Sequence, residues 1–128
     1  MSVSAIVTPS APALAGPYSP AVRAGDWVVL SGQLGLDPAT GRLVDGLEAQ
    51  ARQVLANLQA VIGDCGAAMA DVAKTMVFMT DLAGFPAVNA AYAEAFGSHR
   101  PARSTIQVAG LPMGALVEIE AWLYSPIR

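Results

Sequence analysis

The sequence predicts an α+β domain, with one mostly antiparallel sheet and two helices packed on one of its faces. Three observations carry that prediction. Apolar residues recur at helical spacing in two stretches, around 46–64 and 85–96. Five shorter segments, at 21–24, 27–30, 72–80, 103–108 and 116–124, alternate or run apolar as strands do. The resulting order, β-β-α-β-α-β-β, suits a sheet covered on a single side. With 128 residues the chain is the size of one domain, 1–128, in which residues 1–15 read as an extended lead-in.

Taken in order, the lead-in is rich in Ala, Ser and Pro. Ala13-Leu14-Ala15 has the look of a signal-peptidase site, but no Lys or Arg precedes it and Pro9 and Pro12 interrupt the apolar stretch, so a cytoplasmic protein is expected. Gly16-Pro17-Tyr18-Ser19-Pro20 is a stiff loop around an aromatic with a polar tip. Tyr18 either anchors the loop or presents its hydroxyl to a site. Ala21 to Ala24 meets the hairpin signal Gly25-Asp26, and Trp27 to Leu30 is the return strand, ending at Ser31-Gly32. Asp37-Pro38-Ala39-Thr40-Gly41 is a turn. Leu47, Ala51, Val54, Leu55, Leu58, Val61 and Ile62 share one face of a helix expected from about Gly46 to Asp64, with Gly66 near its end.

Val72 to Thr80 is rich in strand formers, and Asp81 and Gly84 break it. Pro86 suits the first turn of the second helix, whose buried stripe is Phe85, Val88, Tyr92 and Phe96. Asn89 lies at the edge of that stripe and is expected to be buried, as a structural clamp or a ligand contact. Alternation in the next strand puts Ser104, Ile106 and Val108 on one face and Arg103, Thr105 and Gln107 on the other. In the last strand Val117, Ile119, Ala121 and Leu123 oppose Glu118, Glu120, Trp122 and Tyr124. The face carrying Trp122 and the acids is left open.

Composition points the same way. Charged residues are 13% of the chain and hydrophobic ones 54%, with mean hydropathy +0.47. No uncharged apolar run reaches the roughly 20 residues that span a bilayer. So few charges on so small a domain imply apolar surface hidden against other copies, a homo-oligomer. Net charge is −3, and the seven basic residues are scattered without a basic stripe, which argues against a nucleic-acid surface. The single cysteine, Cys65, allows no internal disulfide and reads as a structural thiol. One histidine, His99, supports neither a zinc cluster nor a Ser-His-Asp set.

Chemistry concentrates around Arg103, in Pro101-Ala102-Arg103-Ser104. An arginine at a strand entrance beside an acid-bearing strand can fork onto a carboxylate ligand or sit in a structural ion pair. In isolation the ion pair is the expectation. The wider set of landmarks changes the balance. Gly16-Pro17-Tyr18-Ser19, Ser31-Gly32-Gln33, the Asp37–Gly41 turn, Gln50 to Leu58, Lys74 to Asp81, Val88 to Tyr92, Pro101 to Ser104 and Val117 to Glu120 follow one another over nearly the whole chain. In this order they resemble the Rid/YjgF family of reactive-intermediate (enamine/imine) deaminases, earlier described as translation inhibitors or L-PSP endoribonucleases.

The resemblance implies a chorismate-mutase-like fold and a homotrimer with clefts between subunits. It implies hydrolysis of 2-imino acids to the 2-keto acid and ammonia, with no cofactor and no metal. Carried over by position, Arg103 would bind the substrate carboxylate, and Glu118 would position or activate water or handle the enamine–imine proton. Tyr18 would close over the substrate, and Ser31, Gly32, Asn89 and Thr105 would line the cleft. An imine carbon is already electrophilic, so orienting a small anion and one water suffices. If Glu118 paired tightly with Arg103 its pKa would fall, which favours positioning over proton donation. Departures are Thr105, where some members carry a cysteine, Gly110, where many carry Arg or Ala, and the bulky Trp122. The alternatives are a non-catalytic metabolite-binding or protein-interaction trimer and, last, an endoribonuclease.

Overall fold

A computed structural model describes residues 2–13 and 16–127. Its first strand, β1 (Ser4–Ala5), lies inside the expected lead-in and pairs antiparallel with β2 (Ala21–Ala24). The lead-in is further tied by Ser10, whose backbone N–H and hydroxyl both donate to the Asp64 carboxylate at 2.8 Å, and by Ile6, which packs on the core. These ties are mostly polar and carry no apolar period, so pattern reading passes over them. Of the stretch weighed as a cleavage site, Leu14 and Ala15 lie outside the described residues.

Gly25 takes φ +62°, which lets the chain reverse within two residues and sets Ala24 opposite Trp27. The hairpin leads into β3 (Trp27–Leu34), and α1 (Leu47–Asp64) follows. Then come β4 (Val72–Met79), α2 (Phe85–Phe96), β5 (Ala102–Gln107) and β6 (Val117–Tyr124). The strand order is β1-β2-β3-β6-β4-β5. Every pairing is antiparallel except β4 with β5, which run parallel because α2 carries the chain back across the sheet between them. The last strand thus enters the centre, between β3 and β4.

Both helices lie on the same face. Val54, Leu55, Leu58, Val61 and Ile62 of α1 and Val88, Tyr92 and Phe96 of α2 form one core with Val28, Val77, Ile119, Ala121 and Leu123 of the sheet. Gly35 lets β3's end press on α1: a Cβ there would sit 2.8 Å from the Gln50 Cα and 2.9 Å from its carbonyl oxygen. Asn57, buried on α1, donates to the carbonyls of Leu34 and Leu36 at 3.0 and 2.8 Å. Gln50 accepts from the Leu116 N–H at 2.8 Å. These amides fasten the segments that frame one half of the site. The opposite face of the sheet is left uncovered by the described residues and carries Trp27, Trp122, Tyr124 and Ile106, each more than a third exposed.

Candidate functional site

Arg103 is the second residue of β5, at the sheet edge, paired with Thr75 of β4. Paired residues share a face, and Thr75 is buried beneath α2 with its hydroxyl 2.7 Å from the Tyr92 hydroxyl. Arg103 therefore rises on the helix side. Its guanidinium lies over two rings of α2, 4.7 Å from the Tyr92 centroid and 5.2 Å from that of Phe85. Its Nη1 donates to Asn89 Oδ1 at 2.9 Å. Asn89 is exposed rather than buried, because it stands on the outer edge of the helix where Arg103 can reach it. Among the described residues Arg103 has no carboxylate partner. These groups border a cavity of about 440 Å³ lined by Asn89, Tyr92, Ala93, Arg100, Pro101 and Arg103.

Glu118 lies on β6 and points to the uncovered face, half-buried. It shares a cavity of about 500 Å³ with Tyr18, Gly32 and Gly41, walled by Leu34, Leu36, Pro112 and Met113. Gly32 leaves room for it: a Cβ there would overlap the carboxylate and stand 2.7 Å from its Cδ. The room comes from a break in register between Leu30 and Gln33, where β3 bulges against β6. Burial first, and the charge of Glu120 second, raise the Glu118 pKa above the ordinary carboxylate value. Tyr18, on its loop, is half-exposed; burial and then the Glu118 charge raise its phenol pKa.

The two halves do not meet within one chain. Phe78 pairs with both Glu118 and Ile106, whereas Thr75 pairs with both Arg103 and Ala121. Arg103 and Glu118 are thus two strands and three residues apart, roughly 14 Å at the backbone, and on opposite faces. The ion pair expected between the arginine and the acidic strand is absent, since β4 separates β5 from β6. With no cation paired to it among the described residues, Glu118 has a raised pKa instead of the lowered one that pairing would give.

Ser31 sits between the halves of its motif in a supporting position: its hydroxyl donates to the Ser19 carbonyl at 2.7 Å, and its N–H to that of Pro20 at 2.9 Å. It pins the Tyr18 loop to β3. Thr105 shares Arg103's strand and face, one step along, opposite Val77. His99 is engaged by the Val72 carbonyl at 2.7 Å. Cys65 lies half-buried at the end of α1, where burial and then Asp64 push its thiol pKa up, as suits a structural cysteine. Sequence reading assigned Phe85 and Tyr92 to the core and so missed that their rings carry Arg103. It also missed Met113, which holds φ +61° over the Glu118 cavity, and Arg100 beside Arg103. A left-handed non-glycine residue carries no sequence signal; two arginines flanking Pro101-Ala102 do.

No helix among the described residues is long and apolar enough to cross a membrane, and no His/Cys/Asp/Glu group among them could hold a metal ion. Comparison with known proteins gives a consistent result. A model of the family "Endoribonuclease L-PSP" matches residues 8–124. The 2-iminobutanoate/2-iminopropanoate deaminase of Salmonella typhimurium is 44% identical over 119 residues, 91% of this chain and 93% of that protein. The crystal structure of RidA from Psychrobacter superposes with TM-score 0.91 at 45% identity, covering 94% of this chain and 98% of the other. That of Escherichia coli TdcF with bound serine superposes with TM-score 0.90 at 38% identity, over 94% and 98%. On fold, landmarks and near full-length identity alike, the chain belongs to the Endoribonuclease L-PSP family, also known as Rid/YjgF.

Proposed function

We propose that this protein is a hydrolytic deaminase of reactive 2-imino and enamine acids, working at sites between the subunits of a homotrimer. The observation that carries the proposal is Arg103, an arginine with no carboxylate partner among the described residues, held by Asn89 and two aromatic rings at the mouth of a cavity. Such a guanidinium is oriented to fork onto a small carboxylate. TdcF, a structural neighbour, holds serine, a small carboxylate-bearing molecule. Relatives at 44–46% identity bear the name 2-iminobutanoate/2-iminopropanoate deaminase.

In this reading Arg103 fixes the substrate carboxylate. Glu118 of a second copy orients a water against the imine carbon and takes up one of its protons. The water oxygen bonds to that carbon, the carbon–nitrogen bond breaks, and the nitrogen leaves as ammonia. One water is consumed and one keto acid released, and no redox partner is needed. The upward shift of the Glu118 pKa, caused by burial and then by Glu120, makes it a better proton acceptor than an ordinary carboxylate and suits a group that receives a proton from water and returns it. Gly32 admits the carboxylate, Tyr18 closes the cavity, and Ser31 sets the Tyr18 loop. Asn89 and Thr105 flank Arg103.

The direct test is the decay of 2-iminopropanoate to pyruvate, with the imine made in situ by an amino-acid oxidase and semicarbazide trapping the remainder. Acceleration by the wild type, lost in Arg103→Ala with the oligomer intact, is expected. No acceleration with any small imino acid overturns the reading in favour of a binding protein. The family description also names ribonucleases. Here scattered cations and a histidine held by a backbone carbonyl offer little for that chemistry.

A further inference from the structure

We infer that Arg100 turns the Arg103 cavity toward imino acids bearing a second carboxylate, the imines of aspartate and glutamate. The inference rests on the deaminase reading and names its substrate class. The cavity of about 440 Å³ that Arg103 borders is lined by a second arginine, Arg100, and by no acidic residue. Arg100 is exposed, and one end of its guanidinium is anchored: Nη1 donates to the carbonyl oxygens of Gly97 and His99, just beyond the end of α2. Both acceptors are neutral, so the charge stays uncompensated. The remaining N–H groups have no protein partner among the described residues.

Two guanidiniums without counter-ions facing one small cavity repel each other, and that repulsion is relieved when an anionic ligand bridges them. A monocarboxylate bound at Arg103 satisfies one of them. A second carboxylate carried on the substrate's own side chain satisfies the other. Pro101 separates Arg100 from the strand that begins at Ala102, which frees it from the strand's alternation and lets both side chains reach the same space. The chemistry is unchanged: water oxygen replaces the imine nitrogen, which leaves as ammonia. Only the binding of the substrate's far end is new.

The test compares kcat/KM for 2-iminosuccinate and 2-iminoglutarate with that for 2-iminopropanoate, each made in situ by the matching amino-acid oxidase, in the assembled wild type, Arg100→Gln and Arg100→Glu. The dicarboxylate-to-monocarboxylate ratio is expected to fall about five- to tenfold in Arg100→Gln, and further in Arg100→Glu. In the wild type the ratio should drop as salt is raised, because the added contact is electrostatic and exposed. Calorimetric titration with 2-oxoglutarate and 2-oxobutanoate reads the same preference without catalysis. A ratio unchanged within twofold in both variants overturns the inference and leaves the deaminase standing. Absence of any deamination, with Arg100-dependent preference for 2-oxoglutarate retained, sinks the deaminase reading and keeps the dicarboxylate site.

Discussion

Glu118 owes its altered proton affinity to a site half removed from water and to a like charge two residues along the same strand. Removing the neighbour isolates the second cause. In Glu120→Gln the Glu118 pKa falls back toward the ordinary carboxylate value, so the acid limb of the kcat/KM profile for 2-iminopropanoate moves to lower pH. An unmoved limb would mean that another group governs it. The same shift has a thermodynamic sign. The folded state holds the Glu118 proton more tightly than the unfolded chain does. This contribution to stability is therefore complete below the unfolded carboxylate value and is lost as pH rises through the raised one. Glu118→Gln lacks that loss. Its melting temperature relative to wild type should rise as pH is raised above the ordinary carboxylate value of about 4 while deamination collapses, which calorimetry and the imine assay follow in parallel.

At the scale of elements, the two helices were legible because each buries one stripe. The helix expected over about 46–64 is Leu47–Asp64, and the one begun by Pro86 is Phe85–Phe96. Alternation along β5 and β6 also assigned faces correctly, down to Trp122 and the acids on the uncovered side. Pairing was not legible. Nothing in a strand's own residues says that β6 enters between β3 and β4, and it is that insertion which parts Arg103 from Glu118. Nor does a core stripe reveal that its rings have a second use. Tyr92 supports Arg103 while its hydroxyl meets Thr75, so Thr75→Val should cost about 1–2 kcal/mol by denaturant unfolding and weaken substrate binding with it. On the other half, Gly32→Ala sets a Cβ against the Glu118 carboxylate at a bulge. The side chain must swing away. We expect kcat/KM to fall about a hundredfold, with the far-ultraviolet circular dichroism of the wild type retained.

For the whole molecule, the uncovered face and the split site ask for the same thing. Trp27, Trp122, Tyr124 and Ile106 stand on one side of a sheet whose other side is already filled by helices, and Glu118 lies on that same side. A partner set against that face would hide the apolar rings and bring its own Arg103 toward this Glu118. Two dead variants can test this. Arg103→Ala keeps Glu118, Glu118→Gln keeps Arg103, and neither is expected to hydrolyse 2-iminopropanoate alone. When they are co-expressed, a site in a cyclic trimer is whole where the subunit supplying the arginine is Glu118→Gln and the one supplying the carboxylate is Arg103→Ala. Random assembly from equal amounts makes about one interface in four complete, so about a quarter of wild-type activity should return. A site lying within one chain would gain nothing from mixing. Rates that stay at the level of the separate variants, with mixed oligomers verified by mass, would therefore place both residues' work inside a single subunit and remove the reason for the uncovered face to carry Glu118.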